Sequence, residues 1–501
     1  MWAEGVPIAV LYSALTLVLA YPLTIHPASS VLQMGADTDL FVWALGWDVH
    51  ALTHRPLSLF DANIYYPYRH TLAYSENFIG SALLAAPFLW LTGNLALAMN
   101  AVALLSCVLC GLGAYVLARR VGIGPLGAAL GGLIFAFAPP RFFRLGQLHL
   151  TAVQWLPFCL AFLHTYLDSG RRRDLWFACT FFTLQVLTSG HGAVFVTVSV
   201  VALVGWRAAL GEPLMPAKRL RDLGVPGALL LAISVLVLLP YLAVQREMGL
   251  RRSLGESYLF SPTAASFLAS PTHVHAFLLS LLTDAPILQT ARAVLFPGYL
   301  TLVLAAAGMW ASFAESRHRV RGEPATVWAR VAQVLEIGLL VGIVAAIVIT
   351  ASGGFRLRYG STVIFSARQP WRAWLICAVL AAIRAGLARR VPLAIGPRFL
   401  GLPQGLRRWA DSYRPNAVAF YSLLTLISLW LSLGPQFGLY RLVHNWPGFS
   451  LIRVPSRFTL VALLGLGVLA AAGFERWTGR FAPKKRLALA TLAAADRKSV
   501  V

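Results

Sequence analysis

The sequence predicts an all-α polytopic membrane protein, and three observations carry that expectation. The 501 residues are 58% hydrophobic and only 12% charged. Mean hydropathy is +0.70. Apolar runs of about twenty residues recur along the chain, and a helix of that length crosses a hydrocarbon core.

The first run is 5–25. The preceding segment, MWAEG, carries no Lys or Arg, so it reads as an uncleaved anchor rather than a secretory signal. A long first loop, 26–94, follows. Within it, 38–53 places Leu40, Trp43, Ala44, Trp47 and Ala51 at helical spacing, which suits a helix lying flat at the membrane surface. Residues 78–93 are short for a span and interrupted by Pro87; they read as a juxtamembrane helix that lies at the interface or re-enters. Further spans are expected near 95–117, 123–139, 150–167, 174–189, 192–209, 224–244, 294–313, 333–351, 373–388, 415–434 and 458–474. Residues 1–486 thus form one transmembrane domain. Another span starts at 487, and 496–501 (DRKSVV) reads as a non-native tail, because one back-translation of it matches sequencing-adapter DNA.

The net charge is +23, but the cations sit in short clusters between apolar runs. With the N-terminus inside, 25 of the 42 Lys and Arg fall on cytoplasmic loops and 15 outside, as the positive-inside rule expects for a multi-pass protein of the cytoplasmic (inner) membrane. Nucleic acid is therefore not an expected partner. The lipid bilayer is. All five cysteines lie in apolar segments; Cys107 and Cys110 read as small packing residues, and no disulfide framework is implied. Gly127 and Gly131 suit close helix packing.

This topology gathers polar residues on the outer face. The first loop holds Asp37, Asp39, Asp48, Asp61 and Glu76, and nine of the eleven histidines lie outside. The motifs that stand out are Asp37-x-Asp39, Tyr65-Tyr66-Pro67-Tyr68-Arg69, Glu76, Gly146-Gln147-x-His149 and Arg453-Val-Pro-Ser-Arg457. Each has an ordinary reading: a solvated acidic loop, an aromatic belt, a helix cap, and arginines meeting headgroups. Their convergence on one face favours a site.

The layout resembles the GT-C superfamily of multispan glycosyltransferases, which includes protein O-mannosyltransferases, oligosaccharyltransferase catalytic subunits and lipid A aminoarabinose transferases. It is most similar to a bacterial subgroup through Asp37–Asp39, Tyr66–Tyr68, Arg144–His149 before Trp155–Pro157, and Ile452–Phe458. No WWD-like or HPP motif is present, which leaves donor sugar and acceptor open. The resemblance implies a bundle of about 12–13 transmembrane helices with juxtamembrane helices in the first external loop. It implies inverting transfer of a sugar from a polyprenyl-phosphate donor to a glycan, lipid or protein acceptor. Asp37 would be the base, with Asp39 orienting the acceptor. Arg453 and Arg457 would meet the lipid phosphate, and His149 and His191 the sugar or phosphate. Tyr66, Arg69 and Gln147 join as binding candidates. Glu76 would support the site or, with Asp37 and Asp39, hold a divalent metal such as Mg or Mn. Two other readings stay open: a transporter or flippase of lipid-linked saccharides, and a non-catalytic membrane assembly protein.

Overall fold

A computed structural model describes residues 2–318 apart from 32–35, 211, 213–216, 250–252 and 281–286. It also describes scattered positions in 331–346, 355–386 apart from 360–361 and 368–369, 416–481 apart from 438, 447–448, 450–451 and 480, and Lys485 and Ala488. Most of the expected span 333–351, the basic stretch 389–414 and the tail from 489 lie outside these residues.

The chain is a helical membrane bundle. In order come α1 (Trp2–Leu19), α2 (Ala36–His54), α3 (Ile79–Thr92), α4 (Leu95–Arg120), α5 (Pro125–Phe137), α6 (Pro139–Phe142), α7 (Leu148–Thr151), α8 (Trp155–Ser169), α9 (Arg172–Thr188), α10 (Gly190–Ala209) and α11 (Ala217–Met248). Later helices include Tyr299–His318, Pro370–Gly386, Ala417–Ser432 and Thr459–Thr478. Among the described residues, five helical stretches are long and apolar enough to cross a membrane: Leu95–Arg120, Leu148–Ser169, Gly190–Ala209, Ala217–Met248 and Pro455–Thr478. One departure from an all-helical chain appears. Phe355–Tyr359 (β1) and Thr362–Ala367 (β2) pair as an antiparallel hairpin, in a segment read from sequence only as a loop.

Thr459–Thr478 forms the centre, and nearly all its side chains are buried. Small residues let the backbones close on it: a Cβ on Gly131 would stand 2.8 Å from the Gly467 carbonyl oxygen. Such approach replaces the hydrophobic driving force that lipid does not supply.

The bundle has two distinct ends. At one, Arg119 Nε meets Glu4 Oε2 at 3.2 Å, and Arg120 Nη1 donates to Thr165 Oγ1 at 3.1 Å. Here too Glu475 Oε1 accepts from the Gly127 amide at 2.8 Å, Arg172 pairs with Asp222 at 3.3 Å, and Arg207 bridges Asp168 and Glu212. The other end carries the start of α4, the ends of α9 and α11, and the starts of α8, α10 and Thr459–Thr478.

Helices α2 and α3 sit on this second end with a hydrophobic cluster of their own, including Phe41, Leu45, Phe78, Ala82, Met99 and Leu148. Both ends of α3 attach there. Its start packs on Leu184 and Thr188 at the end of α9, and Asn94 just beyond it caps α4 while its Nδ2 donates to the Ala28 carbonyl at 2.9 Å. With 14 residues, about 21 Å of helix, α3 returns to the end it left.

Within α5 there are only 13 residues, about 20 Å against a hydrocarbon thickness of about 30 Å. The turn that follows it is therefore set into the bundle rather than perched on it. Phe137 through Phe142, Leu145 and Leu148 through Val153 are buried. That recess positions the site.

Candidate functional site

Arg141 fixes the recessed turn. Fully buried, it donates to the Thr151 carbonyl at 2.8 and 3.1 Å, to the Ala136 carbonyl at 2.7 Å and to Ser106 Oγ at 2.9 Å. A guanidinium offers only donors, and here carbonyl and hydroxyl oxygens satisfy it. Sequence analysis does not single out Arg141 and misses this clamp. Its only signal was its place directly after two prolines.

Between its two short helices the turn carries Arg144 and Gln147. These line a cavity of about 290 Å³ with Pro139, Phe143, Leu150, Val294, Val454 and Arg457. The lining is amphiphilic, with two guanidiniums and an amide among apolar walls. Burial lowers the pKa of Arg144, and among the described residues no carboxylate pairs with it.

Behind the cavity runs a contact chain. Arg457 Nη1 meets His191 Nε2. His191 Nδ1 lies 2.6 Å from Glu76 Oε1, and Glu76 Oε2 accepts from the Gly190 amide at 2.6 Å. Burial pushes the Glu76 carboxyl up, but the adjacent His191 ring that hydrogen-bonds to it, with the Gly190 amide, holds the group below the usual carboxylate range. The His149 ring stands 5.3 Å from that of His191 and 4.7 Å from Phe41 of α2. Ser189 caps α10, accepting from the Gly192 amide at 3.0 Å, and donates to the His149 carbonyl at 2.9 Å.

Three consecutive residues pin the segment before α3. Glu76 holds Gly190 and His191. Asn77 donates from its amide and its Nδ2 to Tyr241 Oη, each at 3.0 Å, and Tyr241 donates to the Ser75 carbonyl at 3.1 Å. The Phe78 amide donates to Asp48 Oδ2 at 2.7 Å. Asp48 is wholly buried, not a solvated loop acid. Burial raises its pKa to about 7, against the opposing Phe78 hydrogen bond.

Of the residues singled out from sequence, the structure thus brings together Glu76, Gln147, His149, His191 and Arg457, joined by Arg144. Asp37 and Asp39 lie exposed on the first turn of α2, with Asp37 one turn before Phe41. Arg453 is exposed and stacks its guanidinium 5.1 Å over Phe260. Tyr66 and Arg69 are exposed in the first loop. A metal held jointly by Asp37, Asp39 and Glu76 does not fit this arrangement. Both Glu76 oxygens are engaged, and among the described residues no three His, Cys, Asp or Glu side chains converge as a ligand set.

No protein-family model matches the chain, and comparison with curated proteins finds no match. Among the solved structures similar to it are two membrane proteins. One is the archaeal oligosaccharyltransferase AglB from Archaeoglobus fulgidus, in complex with an inhibitory peptide and a dolichol-phosphate. That likeness covers 99% of this chain and 56% of AglB at 15% identity and a TM-score of 0.41. The other is ArnT from Cupriavidus metallidurans in the apo state, covering 95% of this chain and 80% of ArnT at 16% identity and a TM-score of 0.36. The chain spans little more than half the length of AglB.

Proposed function

We propose that this protein transfers a sugar from a polyprenyl-phosphate donor to an acceptor at the end of the bundle that carries the first loop. One observation carries the reading: the half-buried Arg144 lines one recess together with Arg457 and Gln147, and the remaining walls of that recess are apolar. Two cations suit a phosphate, since charge-assisted bonds from arginine are the strong ones. The apolar walls and the recess at the edge of a membrane bundle suit the first carbons of a lipid tail. The sequence resemblance to GT-C enzymes points the same way.

In this reading Arg144 and Arg457 stabilise charge that develops on the departing phosphate. The Asp37 carboxylate takes the acceptor hydroxyl proton as that oxygen attacks C1 of the sugar. The bond from C1 to the phosphate oxygen breaks, the lipid phosphate leaves with its electron pair, and the configuration at C1 inverts. Asp37 is suited by its place one turn above Phe41, which packs on His149; Asp39 would orient the acceptor. Arg453, Tyr66 and Arg69, all exposed, are proposed contacts for headgroup or acceptor. The basic ends of α4 and α10 and the basic start of α9 face the cytoplasm and the cavity faces out, in the inner membrane, as the charge bias favours.

The experiment is incubation of the purified protein with a panel of radiolabelled polyprenyl-phosphate sugars, reading release or transfer. Release that Asp37→Asn abolishes while donor binding persists supports the reading. Donor binding without any release across the panel overturns it in favour of a flippase.

A further inference from the structure

We infer that Glu76 is a positioning residue, acting through His191 to aim the Arg457 guanidinium into the cavity. The inference rests on the reading that Arg457 meets the donor phosphate.

Hydrogen-bond capacity dictates the polarity of the chain. Arginine offers only donors, so the His191 nitrogen that meets it must be the unprotonated one. That nitrogen is Nε2, which places the ring proton on Nδ1. Nδ1 is the atom 2.6 Å from Glu76 Oε1, and an ionised carboxylate is an acceptor only. Every group in the chain therefore has one consistent role: Arg457 donates to His191, and His191 donates to Glu76.

Neighbours hold the ring in this orientation. The His149 ring meets it edge-on at 5.3 Å, and Phe195 stands 6.4 Å away on its own helix. The Gly190 amide anchors the second Glu76 oxygen. With both oxygens engaged, Glu76 is placed to hold rather than to react.

Interposing an imidazole also serves the charge. A carboxylate bonded directly to Arg457 would neutralise it and compete with a phosphate. An imidazole in between transmits the orientation and adds no negative charge of its own beside Arg457. Outer partners that fix a histidine tautomer in this way tune the group beyond it.

The test measures binding of a polyprenyl monophosphate to the full-length protein in nanodiscs, beside its thermal midpoint. Glu76→Ala and His191→Ala should each weaken binding roughly tenfold, the effect of one lost charge-assisted hydrogen bond. The double variant should be no weaker than either single one, because both cut the same chain. Glu76→Gln, which keeps an oxygen to accept from Nδ1–H, should recover most of the affinity. A purely structural role predicts additive losses and no rescue by glutamine, and either result overturns the inference. Nitrogen-15 NMR of the histidine-labelled wild type gives a second measurement that needs no variant: the proton should reside on Nδ1 of His191, and an Nε2–H tautomer overturns it. If Arg457→Ala weakens binding and Glu76→Ala does not, this inference alone fails. If neither Arg457→Ala nor Arg144→Ala weakens binding, the donor reading fails with it.

Discussion

A carboxyl group buried at the heart of a polar segment is costly unless it is protonated or well bonded. Asp48 meets one amide and no more: its Oδ1 has no hydrogen-bond partner. Its raised folded pKa sets the sign of its contribution. The folded state holds the proton that the unfolded chain releases, so stability is greatest below the ordinary carboxyl range and is lost as pH rises through about 7. Asp48→Asn should keep the Phe78 bond, flatten the pH dependence between about 4 and 7, and raise the thermal midpoint above about pH 7. The gain should be at most a few kcal/mol, since each tenfold change in a protonation constant is worth about 1.4 kcal/mol. Thermal melts of both proteins across that range check it, and an unchanged pH profile contradicts it. Glu76 has the opposite sign. Its lowered pKa stabilises the fold above the ordinary carboxyl range, and that contribution is lost as pH falls through the lowered value. Arg144→Ala should leave the thermal midpoint nearly unchanged, because the guanidinium pairs with no carboxylate among the described residues, yet should weaken polyprenyl-phosphate binding by roughly tenfold or more.

At the scale of elements, helix length explains why the site is recessed. Because α5 stops about 10 Å short of a full crossing, the turn from Ala138 to Val153 is sunk into the bundle, and Arg141 ties it there. Replacing Arg141 with Met should destabilise the protein by about 3 kcal/mol or more, since two carbonyls and a hydroxyl would lose buried donors. Gly131→Leu should cost a similar amount, because no side chain fits against the Gly467 carbonyl. Detergent-resistance melts check both.

Most of these elements were legible from apolar runs and breakers, including α3 as a short helix of 14 residues. Other features left no pattern to read. Burial of Asp48 depends on Phe78, thirty positions away, so its local sequence looks like that of any solvated acid. Glu76, His191 and Arg457 meet from three distant segments, and sequence could place them on one face but not in one chain. The hairpin was missed because Phe355–Tyr359 mixes arginines with apolar residues, although the Gly360–Ser361 pair between two runs rich in strand formers was a turn signal.

For the whole molecule, the two ends divide the chemistry. Ion pairs close one end, Arg119 with Glu4, Arg172 with Asp222 and Arg207 with its two carboxylates. The other end holds the cavity and the pinned first loop. Cysteines introduced at Ser58 and Ser169 should label from opposite sides of the membrane, with Ser58 reached from outside. Ser58 labelling only from the cytoplasm contradicts the orientation. The central claim concerns what enters the cavity and what leaves it. The most direct measurement incubates the protein with polyprenyl-phosphate sugars carrying a labelled sugar and follows both binding and release. The wild type should bind and release label, Asp37→Asn should bind without releasing it, and the Arg144→Ala, Arg457→Ala double variant should fail to bind. Equal binding by the wild type and the double arginine variant contradicts the account.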